Sequence, residues 1–555
     1  MTMTEAPPTT EVAEDAVEVA GPPSRVVGFY DWISSSDHTT IGRLWVYTSV
    51  IVLVAMAAVG AIVGIEGIDA ADVDLFGGTN EYFRYWSLHR MGFALLAVAP
   101  LFIGLAILVV PLQIGATNLA FPRAALAAFW TWLAGGIILT TATMAGGGWG
   151  ALDGVTSEES DAIALTLVGT GMVIVSLLVA LMCIVTTVIA YRTDGMSLLR
   201  VPLFSWSMLV TAAVWFLTLP ILLVNLALVY VDLQGPGPFV FGDPEPGERL
   251  ILAQLGWALE QPQVFALAIP ALGILGSVVP VSAGVRNSRH WLMATLIGVY
   301  GLFSIGGWYQ PAFNDIDQDL LFVVFGIGVG VPVLALLGGA MATLVGGRAG
   351  VALPGTALIG VLGAVLVLLA AGVSAGARAI DAFELAGTAA VGGIFALVMA
   401  ASVLAGIAGL WFWAPKLSGI TFPEGLGRLA VTLVLFGGVA AGGAQVVAGF
   451  FDAPDLALET VDEDIVEVLD AVSLVGWVVV AAGALTMLAG IARALSPNAP
   501  AAADDPWHGQ TLEWATSSPP EPGNFAEPLE PVASAAPLLD AREAEPSADD
   551  EGEDA

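Results

Sequence analysis

Twelve apolar runs, each close to the length of about 20 residues that crosses a bilayer as a helix, dominate this chain. They fall near 41–64, 91–111, 125–146, 163–190, 206–231, 254–281, 291–308, 320–345, 354–374, 388–413, 429–450 and 471–493. No other feature limits the fold so strongly, because a segment in lipid must satisfy every backbone N–H and C=O within its own helix. The expected fold is an all-α integral membrane protein, a bundle of twelve transmembrane helices. Composition agrees: the 555 residues are 57% hydrophobic and only 12% charged, where soluble domains carry about a quarter as charges. Three regions are expected: a disordered acidic tail over 1–28, the membrane domain over 29–495, and a Pro/Ala/acid-rich cytoplasmic tail over 496–555 that is also expected to be disordered, since it cannot build a core of its own.

Charge orients the bundle. Sixteen basic residues against 50 acidic ones give a net charge of −34, which excludes nucleic acid as a partner. With the N-terminus in the cytoplasm, twelve of the basic residues fall at the inner side (Arg25, Arg43, Arg123, Arg192, Arg200, Arg286, Arg289, Arg348, Lys416, Arg428, Arg493 and Arg542). Only Arg84, Arg90, Arg249 and Arg378 fall outside, an asymmetry that supports an even span count and two cytoplasmic termini. The outer links are acidic, including Glu66, Glu81, Asp161 and eight acids over 452–470; they serve either general solubility or the docking of a basic protein. No basic residue precedes Arg25 and no apolar stretch follows the start, so no cleavable signal is expected and the first span does the targeting. The single thiol, Cys183, lies in an apolar run, which removes disulfides and cysteine-based metal sites from consideration. No internal repeat is evident, which weighs against the transporter folds built from repeats.

Four motifs are more specific: DHTTIGRL (37–44), PLQIGATNLAFPR (111–123), TDGMSLLRVPLFSWSMLVT (193–211) and DDPWHGQTLEWATSSPP (504–520). In this order and spacing the chain resembles subunit I of the heme-copper terminal oxidases, the cytochrome c oxidase type, over roughly residues 30 to 525. The resemblance implies a twelve-helix core in a prokaryotic plasma membrane. It also implies a low-spin heme on two histidines, a high-spin heme on one, and copper on three, one of them cross-linked to a tyrosine. As partners it implies oxidase subunits II and III and a c-type cytochrome, besides the lipid bilayer itself. Imidazole suits both metals in a way that amides and aliphatic groups do not, so six histidines are the test.

Only the first is present. SLHRMGFALLAVAPLF places His89 at one low-spin heme position. In WALEQPQVFALAIP, Gln261 stands for a copper histidine, Gln263 for the proton-delivering glutamate and Phe265 for the cross-linked tyrosine. Gln310 and Pro311 stand for the two adjacent copper histidines, and residues 385–402 hold no histidine. Counting back from GLWFWAPKLSG puts Gly393 and Phe395 at the last two heme ligands, and counting forward from Ile380 puts Thr388 and Ala390 there. Asp455 and Leu456 replace the arginine pair that holds heme propionates, Leu336 a channel lysine, and Asn118 a channel aspartate. The other histidines, His38, His290 and His508, lie away from these motifs.

The expected protein is thus a redox-inactive relative of subunit I, a structural component of a respiratory or related membrane complex, with no heme or copper. Two alternatives stay open: electron transfer through one atypical heme on His89, or a channel or transporter using the polar cavity left by the cofactors. For that cavity the candidates are Arg90, Glu260 and Gln263, with Gln261 and Gln310 beside them. These groups either bond one another and water or line a binding space. Arg90 either snorkels outward or pairs with Glu260 or Glu384. Trp130, Trp132 and the Trp411-Phe412-Trp413 run read as core and interfacial anchors, and the glycine pairs as close-packing points between helices.

Overall fold

The computed structural model describes residues 30, 32–68, 75–149, 157–234, 255–287, 289–307, 319–347, 355–456, 464–496, 499–525 and 527–544. The predicted tail over 1–28 lies outside them, as do Gln310 and Pro311. A short unit, Met1–Ser35, stands by itself; in it Ser34 N–H donates to the Tyr30 carbonyl at 3.1 Å. All further description concerns Ser36–Ala555.

The membrane helices are α1 (His38–Ile68), α2 (Thr79–Gln113), α3 (Pro122–Met144), α4 (Ser157–Ala190), α5 (Leu203–Gln234) and α6 (Gln263–Ala283). After them come α7 (His290–Phe303), α8 (Leu320–Gly346), α9 (Gly355–Arg378), α10 (Ala390–Ser418), α11 (Glu424–Gly449) and α12 (Asp464–Ala494). Eleven of these are long and apolar enough to cross a membrane among the described residues. The remaining helix, α7, has only 14 residues, yet it runs from one end of the bundle to the other. His290 at its start bonds the Val201 carbonyl beside α5 (3.1 Å). Just past its end, Gly306 N–H donates to the side chain of Gln263 at the opposite end (2.9 Å). At about 1.5 Å per residue the helix covers some 20 Å, and the following residues complete the crossing.

Consecutive helices pack side by side and α12 closes against α1. The centre is made by α2 and α10, buried along their whole apolar length, with α6 nearly so. The outer helices bury about half of theirs and face lipid with residues such as Phe436, Leu366 and Val331. Close approach is set by glycine: a Cβ on Gly476 of α12 would lie 2.7 Å from the Gly437 carbonyl oxygen of α11 and 2.8 Å from Ala441 Cα.

Beyond residue 498 the structure departs from expectation. Instead of a disordered tail, residues 499–544 form a strap across one end of the bundle, finishing in a short helix, α13 (Pro537–Ala544). Trp507 Nε1 donates to the Phe412 carbonyl (3.0 Å), and Gln510 Nε2 to the carbonyls of Pro280 (3.0 Å) and Val285 (3.1 Å). Gln113 Nε2 and Trp413 Nε1 both donate to Glu513 Oε1, at 3.0 and 3.3 Å. Lys416 donates to the Thr516 carbonyl, and Asn524 bridges the Ala116 carbonyl (2.8 Å) and His38 (3.0 Å). Removal from water pushes the buried Glu513 carboxyl above the usual carboxylate range. A segment too polar to fold alone is ordered here because helix ends leave carbonyls and side chains that need partners.

The glycine account is tested by substitution. Gly476→Val should cost about 1–3 kcal/mol through overpacking, read as a lower midpoint of thermal unfolding in detergent. Gly443→Ala, with no atom within 4 Å of its would-be Cβ, should leave the midpoint unchanged. Equal effects at the two positions would refute close packing as the reason for Gly476.

Candidate functional site

His89 sits on α2 one turn before an irregular stretch, Phe93–Val98, wound as a π-helix, a distortion that tends to accompany functional positions. Its Nδ1 lies 2.9 Å from the Met56 carbonyl of α1. A carbonyl only accepts, so the proton is on Nδ1 and the lone pair on Nε2. That Nε2 is buried and has no partner among the described residues. Three aromatic rings stand edge-on around the imidazole: Trp477 of α12 at 4.4 Å between centroids, Phe93 at 5.7 Å and Phe395 of α10 at 6.4 Å. Gly60 makes the arrangement possible, since a Cβ there would run into the imidazole.

Arg90 neither snorkels nor pairs with Glu260 or Glu384. Its guanidinium makes a two-pronged ion pair with Asp455, which lies between α11 and α12: Nη1 to Oδ2 at 2.8 Å and Nη2 to Oδ1 at 2.6 Å. Asp455 Oδ1 also accepts the Gly392 N–H at 3.0 Å, and the guanidinium lies 4.0 Å above the Trp86 ring. Both side chains are largely buried, 12% and 17% exposed, which makes the pairing obligatory. The other described arginines at this end behave alike. Arg84 pairs with Glu81 at 3.0 Å and Glu159 at 2.5 Å, and Arg378 with Glu260 at 3.1 Å.

The polar cluster expected from the sequence is not a cluster. Gln261 Nε2 donates to the Ala375 carbonyl at 3.0 Å, and its Oε1 is unpartnered. Gln263 turns elsewhere, donating to Thr218 Oγ1 at 3.1 Å while its Oε1 accepts the Gly306 N–H. Phe265 is buried, and its carbonyl accepts the Tyr300 hydroxyl at 2.9 Å. Two small cavities do exist, on either side of the Arg90–Asp455 pair. One, of about 150 Å³, is lined by His89, Arg90, Asp455, Glu467, Asp470 and Trp477 among others. The other, of about 160 Å³, is lined by Arg90, Asp455, Glu260 and Arg378. Gln261 and Gln263 line neither, so of the three residues expected to share a cavity only Arg90 and Glu260 do. Sequence reasoning missed Asp455 as the counter-ion and Trp477 as the neighbour of His89.

The profile of the family described as "Cytochrome C and Quinol oxidase polypeptide I" matches residues 40–494. The chain belongs to this family. It is 30% identical to the heme-copper oxidase subunit I+III of Aeropyrum pernix over 90% of its own length, and it spans 62% of that relative, less than two thirds. It is 28% identical to cytochrome c oxidase subunit 1 of Bacillus subtilis, over 90% of this chain and 81% of the relative. Among solved structures, a heme-copper terminal oxidase dimer superposes with a TM-score of 0.64 at 16% identity, covering 83% of this chain and 85% of the other, which establishes the fold.

The family's cofactors are heme and copper, and the donor atoms of this chain fit them poorly. Among the described residues no group of three or more His, Cys, Asp or Glu is placed to hold a metal ion. The copper position at 261 presents an amide already bonded to a backbone carbonyl. Across from His89, α10 presents the Phe395 ring at 6.4 Å between centroids. Among the described residues near these positions, His89 Nε2 is the nitrogen of the right kind, with aromatic rings on several sides and the cavity of about 150 Å³ beside it.

If the Arg90–Asp455 pair carries this region, removing one partner is worse than removing both. Asp455→Asn should destabilise the protein by about 3–5 kcal/mol, an uncompensated guanidinium remaining behind. The double change Arg90→Met, Asp455→Leu should cost less than Asp455→Asn alone. Unfolding in detergent, run as a double-mutant cycle, checks this, and additive costs would show that the two charges do not interact.

Proposed function

We propose that this chain is a redox-inactive member of its family, a structural component of a respiratory or related membrane complex in a prokaryotic plasma membrane, with the strap end in the cytoplasm. The observation that carries the reading is the setting of the low-spin heme position: Trp477 and Phe395 stand edge-on to His89, and Asp455, where the resemblance puts a propionate-binding arginine, is paired with Arg90. Replacement of the copper ligands by Gln261, Gln310 and Pro311 supports the same reading. On it, the fold presents family-type surfaces to partners such as oxidase subunits II and III or a c-type cytochrome while doing no oxygen chemistry itself.

A second reading, one atypical heme, rests on the bare Nε2 of His89. It requires Trp477 to swing aside and a ligand other than histidine on the far face. The channel or transporter reading finds no such support, since the two cavities share Trp86, Arg90 and Asp455 and lie side by side at one end of the bundle.

The purified full-length protein, produced in cells that make heme, should show no Soret band and less than one copper per chain by elemental analysis. Stoichiometric heme lost on His89→Ala would establish the second reading and end the first. Orientation is checked separately. Reporter fusions after Arg200 and after Arg428 should report cytoplasm and one near Asp161 the outside, and all three reporting the same side would overturn the assignment.

A further inference from the structure

A cavity of about 830 Å³ lies at the strap end between α11, α12 and the strap, far from His89. Its walls combine Arg428, Arg493 and Glu424 with the rings of Trp411, Phe422 and Trp507. Trp411 is fixed as part of the wall: its Nε1 donates to the Pro423 carbonyl at 3.3 Å, and its ring wedges against Gly427 of α11 and Gly490 of α12. Trp507 is fixed by its bond to Phe412. Arg428 is paired with Glu424 at 3.1 Å but remains 59% exposed. Glu424 is already engaged, accepting the Thr356 N–H at the start of α9 (2.6 Å). Arg493, in the last turn of α12, is exposed. The cavity thus has two cations against one carboxylate in a chain whose overall charge is −34.

Its position identifies the occupant. Arg428 lies in the second turn of α11 and Arg493 one residue from the end of α12, which puts both guanidiniums at the level where a membrane helix meets the headgroups. Deeper along the same helices, Leu429, Phe436 and Val439 of α11 and Val478 and Leu485 of α12 are exposed apolar residues. Leu429 and Phe436 are seven residues apart with Val439 three further on, and Val478 and Leu485 are seven apart, so on each helix they share one outward face. A polar, cationic, aromatic-walled cavity above an apolar track matches a molecule with an anionic phosphate head and hydrocarbon tails.

We propose that this cavity binds the phosphate headgroup of an anionic phospholipid of the strap-side leaflet, with Arg428 and Arg493 on the phosphate and the acyl chains along α11 and α12. Lipid held there would touch α11, α12 and the strap together and so brace the strap against the bundle.

The experiment is native mass spectrometry of the full-length protein in detergent, titrated with phosphatidylglycerol or phosphatidylcholine of identical acyl chains. The wild type should retain phosphatidylglycerol at least about fivefold better, the gain expected from one arginine near an anionic headgroup. Arg493→Gln should lower that retention by about fivefold, and Arg428→Gln with Arg493→Gln should reduce it to the phosphatidylcholine level. Arg493→Lys should keep most of the preference, which separates lost charge from lost folding. Arg123→Gln, an exposed arginine at the same end but outside the cavity, should change nothing. Equal retention of the two lipids by the wild type would overturn the proposal, as would a loss on Arg123→Gln as large as on Arg493→Gln. Displacement of phosphatidylglycerol by millimolar inorganic phosphate, with phosphate retained in its place, would make this a free-anion site and overturn the lipid assignment.

Discussion

A guanidinium inside a membrane protein must meet a carboxylate or reach water, and Arg90 meets Asp455. That pair joins α2, one of the two central helices of the bundle, to the link between α11 and α12, and through the Gly392 N–H it also reaches the start of α10, the other. Three elements are therefore fixed at one point by two charges and one backbone bond. The surrounding contacts follow from it. Gly392 has room for no side chain, because a Cβ would strike Arg90 and crowd Asp455 Oδ1 and Gln445 Oε1 at 2.9 and 3.0 Å. Trp86 stacks beneath the guanidinium, and Trp477, carried by α12, is brought against His89. In a medium of low effective dielectric such a pair gains little over apolar packing, but it makes any arrangement that separates its members expensive. It acts more as a specifier of how α2, α10 and the α11–α12 link meet than as a source of stability.

The opposite end is specified differently. There the strap supplies hydrogen-bond partners to the ends of α2, α6 and α10 at once, through Gln113, the Pro280 carbonyl and Lys416. Because these helix ends are contributed by distant parts of the chain, the strap also records that they lie on one side of the membrane. Gln113, Ala283 and Lys416 share that side, while Arg84, Arg90 and Arg378 share the other. The arginine asymmetry between loops and the hydrogen bonds of the strap are independent consequences of the same even number of crossings.

How much of this was legible in the sequence follows from the range of the forces involved. Span count and family come from patterns local in sequence, hydropathy over a window and short motifs, and the structure agrees even at α7, where a helix of 14 residues still crosses. Long-range pairing was less legible. Arg90 and Asp455 are 365 residues apart, and Glu260 or Glu384 seemed as suitable by charge. A signal did exist: the resemblance puts an acid, Asp455, where the family has an arginine, which is the change that a counter-ion for Arg90 requires. The strap was misread for a related reason. Residues 499–544 are polar and rich in Pro and Ala, and such composition reports only that a segment cannot fold alone, not whether a neighbour has unsatisfied groups for it to meet. The resemblance groups Glu260, Gln261, Gln263 and Gln310 where the family holds copper, but Glu260 pairs with Arg378, Gln261 bonds the Ala375 carbonyl and Gln263 bonds Thr218.

His89 remains the residue whose presence most needs explaining on the cofactor-free reading. A buried nitrogen with no partner costs about 1–3 kcal/mol, and favourable edge-on aromatic contacts return about 0.5–1.5 kcal/mol for each good pair. The second nitrogen supplies the rest. Its bond to the Met56 carbonyl ties α2 to α1, and Gly60, one turn further along α1, has no side chain to obstruct the ring. An aliphatic replacement would forfeit that bond and leave a hollow beside Gly60, Trp477 and Phe395, so the imidazole is held by its shape and by Nδ1 even where Nε2 has nothing to bind. Retention of this histidine therefore does not by itself argue for a metal: a groove carved for an imidazole on the facing helix is sufficient to keep one there.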